Sequence, residues 1–155
     1  MPYRDRSLPH STRFGFTTSA IACALAIIGV HPAQAEGSSL PYGRGGMKFP
    51  EMDRIIAQYN RSGERFRIEG TCRSSCTELL AIRSVCIDPA ASVEFHAAIL
   101  HPNDPVDPAR NRRMASYYNA KLRNFVLANG YMTSWQFHPI SGRALIQQFG
   151  YRQCP

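Results

Sequence analysis

No stretch of this chain is apolar for long enough to cross a bilayer as a helix. Its apolar run, residues 16–30, has 15 residues, whereas a membrane-spanning helix needs roughly 20. Gly-X-Y and heptad periods are also missing, which excludes collagen-like and coiled-coil architectures. The sequence lacks phosphate-loop, dinucleotide-binding and haem-attachment motifs. We therefore expect neither an integral membrane protein nor a bound cofactor.

Lysine is scarce although the chain is basic. Of the 18 Lys and Arg residues, only Lys48 and Lys121 are lysine, and the formal net charge is +7. The arginines are scattered, apart from the group Arg110, Arg112 and Arg113. This pattern favours a solvated basic face that meets anionic envelope components over a nucleic-acid-binding surface.

The first 35 residues carry the three parts of a cleaved secretory signal. Three arginines precede the apolar run, and the sequence Ala33-Gln34-Ala35 follows it. A basic segment, a short apolar segment and an Ala-x-Ala site are typical of export. No twin-arginine pair is present, which favours the general secretion route. The alternative is an N-terminal core helix, but the Gly/Ser-rich stretch that follows gives it little to pack against. We expect a periplasmic or secreted protein.

Cleavage after Ala35 leaves 120 residues with 15 basic and 10 acidic side chains, a net charge of +5. It also leaves an even number of cysteines: Cys72, Cys76, Cys86 and Cys154. In an exported chain this favours disulfides, and four cysteines allow three pairings. We favour Cys86–Cys154 with Cys72–Cys76, which requires Cys72 to lie outside the following helix. The alternative is a zinc site of Cys72, Cys76 and His96, although its Cys spacing is not the usual one.

Hydrophobic periodicity predicts an α/β domain over residues 51–155, preceded by a Gly/Pro-rich segment, 36–50, with a loop at Gly45-Gly46. The predicted helices are residues 51–61, a helix beginning near Ser74, a long helix over 109–128, and a last helix over 141–149. The predicted strands are residues 65–69, 84–87 and 92–96. Residues 101–108 are predicted to form a loop because they are rich in Pro and Asp.

One set of residues is suited to nucleophilic chemistry. Ser74 stands at a predicted strand-to-helix turn, where a hydroxyl is exposed near the free amides of the helix N-terminus. Gly45-Gly46 allows a second amide to approach, and two such donors stabilise an oxyanion. His96, at the end of a later strand, is a candidate base. The structural alternatives are a helix cap for Ser74 and a half-buried, hydrogen-bonded histidine for His96.

These residues resemble the core of the Clp protease/crotonase superfamily. Gly45-Gly46, the predicted helix 51–61 and strand 65–69, Ser74, and the seven-residue step from Pro89 to His96 carry the likeness. The Cys72-x-Ser74-x-Cys76 element, with Cys86 and Phe95-His96, is similar to uncharacterised exported bacterial proteins related to that superfamily. The resemblance implies a truncated, disulfide-bonded domain with Ser74 as nucleophile, His96 as base, and oxyanion amides from Gly46 and Ser75. It also allows a homo-oligomer, since members assemble as rings or trimers.

The chain departs from that family pattern in two places. The signal sequence occupies the position of the family's first strands. The acidic third member is missing, because no Asp or Glu follows Asp107, and the segment where it belongs contains His138 instead. A dyad without the acid has a less well oriented histidine. We therefore expect a vestigial, non-catalytic protein that binds peptide or another envelope protein in the former groove. The alternatives are a serine peptidase that uses Ser74 and His96, and a disulfide-stapled structural protein.

Overall fold

A computed structural model describes residues 36–155, which form a mixed α/β domain with two small sheets. The predicted signal sequence, 1–35, lies outside the described residues. Among residues 36–155, no helix is long and apolar enough to span a membrane. The strands are β1 (Gly37–Ser38), β2 (Phe66–Ile68), β3 (Thr71–Arg73), β4 (Val85–Ile87), β5 (Ser92–Phe95) and β6 (His138–Ser141). The α-helices are α1 (Phe49–Ser62), α2 (Pro108–Ser116), α3 (Ala120–Ala128) and α4 (Gly142–Gln147). Two 3₁₀ helices, Leu40–Tyr42 and Ser74–Ala81, complete the set.

The two sheets differ in strand direction. The first has the order β1-β2-β4 and is wholly parallel. The second has the order β3-β5-β6, in which β3 and β5 are parallel and β5 and β6 antiparallel. Arg73 is the register partner of Glu94. The residues just after β3 and β5 therefore emerge together at the carboxyl end of neighbouring parallel strands, the usual location of ligand sites in such sheets.

Helix α1 confirms the predicted apolar stripe. Met52 and Ile56 are buried in the core, and Ile55 and Tyr59 pack against it. Gly63 ends the helix with a φ of 71°, and its amide donates to the Tyr59 carbonyl at 3.0 Å. A positive φ of this kind is the common helix terminator, and it suits glycine because no Cβ opposes it.

The predicted long helix over 109–128 is wrong, because the chain breaks it into α2 and α3. Asn119 lies at the break, and its side chain accepts the amide of Leu122 at 3.0 Å, as an N-cap does. Its amide nitrogen also donates to the Phe149 carbonyl at 2.8 Å. Helical spacing of the apolar residues continues across the break, which explains why the pattern concealed it.

Other boundaries differ less from the prediction. The Gly/Pro-rich segment 36–50, for which only the Gly45-Gly46 loop was predicted, also contributes β1 and the short 3₁₀ helix. Strands β3 and β6 were not predicted. The helix expected near Ser74 is present but is 3₁₀ rather than α. Strands β2, β4 and β5 and helix α4 confirm their predicted positions.

The cysteines form the two favoured pairs. Cys72 and Cys76 are bonded with Cα atoms 5.3 Å apart, and Cys86 and Cys154 with Cα atoms 4.9 Å apart. Cys72 lies in β3, outside the helix, as the first pair requires. Because these sulfurs are bonded to each other, the zinc alternative does not fit. Two disulfides are consistent with an oxidising, extracytoplasmic environment.

The two ends of the described chain meet at one side chain. Arg67 pairs with Glu36 at 3.4 Å, and the same guanidinium donates to the carbonyl of Pro155 at 3.5 Å. The C-terminal segment is held further by the amide of Cys154, which donates to Ile87 at 3.0 Å. Residues 36 and 155 are thus neighbours on the surface beside β2.

Candidate functional site

Ser74 occupies a strained position between β3 and the 3₁₀ helix Ser74–Ala81. Its φ is +54°, and it is the one non-glycine residue with a positive φ among residues 36–155. Such a conformation persists only where the surroundings enforce it, and it clusters at functional turns. The helix cap position falls on Arg73, and no side chain caps the helix. The cap alternative for Ser74 is therefore wrong.

The glycine loop, residues 43–47, contacts the residues on both sides of Ser74. The amide of Arg73 donates to the Gly43 carbonyl at 3.1 Å, and the amide of Met47 donates to the Ser75 hydroxyl at 3.0 Å. A Cβ built on Gly45 would lie 2.5 Å from the Ser74 Cβ. Only glycine allows an approach this close, and these contacts hold the strained turn in place.

The structure places three of the predicted site residues on one cavity. Gly46, Ser74 and Ser75 all line a pocket of about 610 Å³. Ser75 is the second residue of its helix, where a backbone amide has no carbonyl of the same helix to bind. The Cys72–Cys76 disulfide closes around this turn, with Ser74 and Ser75 inside its ring. The family resemblance predicts oxyanion amides from Gly46 and Ser75, and both residues line this cavity.

His96 does not join them. It follows β5 directly, next to the end of β3, but only 1% of its surface is exposed and it does not line the cavity. Neither ring nitrogen has a hydrogen-bond partner among residues 36–155. Burial lowers the pKa of His96 from 6.5 to about 4, so the ring is neutral at pH 7. The hydrogen-bonded histidine considered as the alternative is absent too.

Two aromatic side chains account for the isolation of His96. The rings of Trp135 and Phe137 lie 5.1 and 4.7 Å from the His96 ring, centroid to centroid. Both residues also line the cavity. Their segment is fixed to the end of β5, because the amide of Ala97 donates to the Ser134 carbonyl at 2.8 Å. The aromatic pair therefore contacts both His96 and the cavity, which His96 itself does not line.

A buried carboxyl lies on the Ser74 helix, and sequence reasoning gave it no role. Glu78 is 1% exposed, and one of its carboxyl oxygens has no partner within the described part of the chain. Burial, and secondarily the charge of Asp53, raise the pKa of Glu78 to about 8. The signal in the sequence was an acid between Cys76-Thr77 and Leu79-Leu80, a stretch otherwise suited to the core. Since His96 has no bonded partner, Glu78 does not replace the missing third member.

Asp53 belongs to a polar cluster at the surface near Glu78. Its carboxylate accepts a hydrogen bond from the Tyr117 hydroxyl and pairs with Arg113 at 2.7 Å. Nearby, the hydroxyls of Thr77 and Tyr118 are 2.7 Å apart and share a buried hydrogen bond. Tyr117 and Tyr118, which directly follow α2, thus hold its end against α1 and the 3₁₀ helix.

The cavity combines apolar walls with a basic rim. Nine of its side chains form the apolar walls: Met47, Phe49, Pro50, Ala98, Ile99, Leu100, Met114, Trp135 and Phe137. The ionisable side chains that line it are Arg44, Lys48, His101 and Arg110, and no Asp or Glu of the described chain does so. His101, a loop histidine with no role in the sequence analysis, is exposed at this rim. His138 is elsewhere, in β6, with its ring stacked on Tyr131 at 4.6 Å.

Comparison of the chain with protein-family models, with curated proteins and with solved structures gave no match. The likeness to the Clp protease/crotonase superfamily therefore depends on the residues quoted above.

Proposed function

We propose that this is an exported binding protein of Clp/crotonase-like descent, in which the former catalytic groove holds a ligand and no longer hydrolyses one. One observation carries the proposal: Trp135 and Phe137 line the cavity and pack against His96, which does not line it and whose ring nitrogens bond to no residue in 36–155. A serine at pH 7 is a weak nucleophile unless a base takes its proton. Among residues 36–155, no side chain accepts a hydrogen bond from the Ser74 hydroxyl, and His96 does not line the cavity.

The size and the composition of the cavity also support the binding of a ligand. Its volume of about 610 Å³ lies within the range of roughly 300–1,000 Å³ that ligand sites occupy. Its walls are mainly apolar, with a few charged groups at the rim, which is the usual composition of such sites. From the sequence we expect a peptide or an envelope protein as the occupant.

The second candidate is a serine hydrolase, most plainly a peptidase. The positive φ of Ser74 favours it, because a strained serine at a strand-to-helix turn is a known arrangement for a nucleophile. In this case the aromatic pair would have to move away and release His96 toward the cavity.

Fluorophosphonate labelling separates the two candidates. The protein is expressed from its full-length sequence, purified after export, and treated beside Ser74→Ala, with intact mass as the readout. We expect no adduct on the folded, disulfide-bonded protein. A single adduct that disappears in Ser74→Ala would show an activated serine and establish the hydrolase instead.

A further inference from the structure

In two wall segments of the cavity, residues 98–101 and 47–48, the backbone amides already donate hydrogen bonds within the protein. In residues 98–101, the amides of Ala98 and Ile99 donate to the Asn111 side chain and to the Ala97 carbonyl, both at 2.7 Å. The next two amides, of Leu100 and His101, donate to the carboxylate of Asp104. These walls therefore present side chains to an occupant and few main-chain donors.

The opposite wall has the same property. The amide of Met47 donates to Ser75, and the amide of Lys48 donates to the carboxylate of Glu51 at 3.0 Å. A peptide that binds in extended form takes much of its affinity from main-chain hydrogen bonds. Six wall amides are thus occupied, and the two amides predicted for an oxyanion, those of Gly46 and Ser75, are fewer than an extended peptide uses. The apolar walls are therefore better suited to a hydrocarbon chain.

The rim supplies the polar end of the site. Arg110 is held in place, because its Nε donates to the Ala98 carbonyl at 3.0 Å and its guanidinium lies 5.7 Å from the centre of the Phe49 ring. Its two terminal nitrogens make no hydrogen bond or ion pair with residues 36–155, and the same is true of the Arg44 guanidinium. Lys48 adds a third cation. A positioned, unpaired guanidinium is suited to a carboxylate or phosphate.

From this combination we infer that the cavity binds a single-chain anionic amphiphile, an acyl chain with a carboxylate head. The chain lies against the apolar walls, and the carboxylate meets Arg110 and Arg44. No acidic side chain of residues 36–155 lines the cavity, and the two carboxylates nearest its walls, of Asp104 and Glu51, are bound to wall amides. This inference rests on the proposed binding function and names its ligand class, in place of the peptide that the sequence suggested.

Trp135 makes the inference directly measurable. It is the single tryptophan of the chain and it lines the cavity, so its fluorescence reports an occupant. The exported protein is titrated with laurate, with lauryl alcohol and with an apolar peptide that has a free C-terminus. We expect laurate to bind at least tenfold more tightly than the alcohol, a difference of about 1.4 kcal/mol.

A charge-matched pair of variants locates the head group. Arg44→Gln with Arg110→Gln should weaken laurate at least tenfold and leave the alcohol within twofold. The control, Arg61→Gln with Arg152→Gln, removes the same charge from exposed residues outside the cavity and should change neither Kd more than twofold. The milder Lys48→Gln tests the rim again, with a smaller loss expected.

Several outcomes would overturn the inference: equal affinity for laurate and alcohol, an equal loss in the control, or tighter binding of the peptide. Peptide binding without laurate binding would leave the proposed binding function standing and remove only the ligand class. A fluorophosphonate adduct on Ser74 together with rim-dependent laurate binding would leave the ligand class standing. It would remove the proposal that the groove no longer hydrolyses its ligand.

Discussion

The two sides of the candidate site are held by different kinds of interaction. Around Ser74, backbone hydrogen bonds from the glycine loop and a disulfide fix a strained turn that faces the cavity. Around His96, aromatic packing encloses a ring that makes no hydrogen bond within the described chain. The first side presents a strained serine turn to the cavity, and the second is part of the core. This difference agrees with the proposed binding function.

The largest effect should follow a change on the Ser74 side. In Gly45→Ala the new methyl would meet the Ser74 Cβ at 2.5 Å and the Arg73 carbonyl at 2.7 Å, at a φ of +69°. Overpacking and backbone strain together should lower the free energy of unfolding by about 4 kcal/mol. Chemical denaturation measures the change.

Gly46→Ala is the matched control for that variant. Its φ is also positive, +84°, but a Cβ there would meet nothing within 4 Å. We expect a loss of about 1 kcal/mol from backbone strain alone. Equal losses at the two glycines would mean that the loop does not grip the Ser74 turn.

The next largest effect is a pH dependence of the free energy of unfolding that comes from His96. Because its pKa is about 4 in the folded protein against 6.5, the unfolded chain binds the proton more readily between these values. The contribution of His96 to the free energy of unfolding is therefore complete above pH 6.5, and it is lost as the pH falls toward 4. Relative to His96→Phe, the wild-type protein should lose about 3 kcal/mol over that interval.

The same variant controls for Glu78, whose raised pKa acts in the opposite direction. Its contribution is present at low pH and is lost as the pH rises through about 8, equally in both proteins. At pH 7.5, His96→Phe should be as stable as the wild type or more so, since it removes two unpaired buried nitrogens. A clear loss at pH 7.5 would show that His96 makes a hydrogen bond, and the contrast between the two sides would disappear.

The smallest expected effect is the difference in stability between the alanine variants of the neighbouring serines Ser74 and Ser75. Ser75→Ala removes the acceptor of the Met47 amide and should cost about 1 kcal/mol. Ser74→Ala removes a hydroxyl that bonds to no residue in 36–155 and should stay within about 0.5 kcal/mol. Thermal unfolding of both variants tests this order. A larger loss at Ser74 would assign its hydroxyl a structural role.

The sequence predicted the Ser74 side of the site better than the His96 side. Gly45-Gly46 and the Cys-x-Ser-x-Cys element are local signals, and the loop, turn and disulfide that they indicate form among near neighbours in the chain. His96 was placed correctly after β5, but its isolation comes from Trp135 and Phe137, which are some forty residues away. A pattern of single residues does not show which distant side chains will cover a given ring.

The same distinction between local and distant signals applies to the fold. Helix α1 and strand β5 were predicted because their apolar spacing is a property of one segment. The break between α2 and α3 depends on Asn119, which caps α3 and also bonds to Phe149 from the other end of the domain. The cap alone was readable in principle, but the periodic pattern around it outweighed a single Asn.

The shared contact of Glu36 and Pro155 with Arg67 bears on how the molecule can be re-engineered. Because residues 36 and 155 lie side by side, a short Gly/Ser linker can join them, in a variant that begins at residue 36, without crossing the domain. New termini can then be opened in the exposed loop before α2, where few backbone hydrogen bonds would be cut. A circular permutant of this kind would keep both disulfides within one chain, and it would carry its attachment points at the cavity mouth.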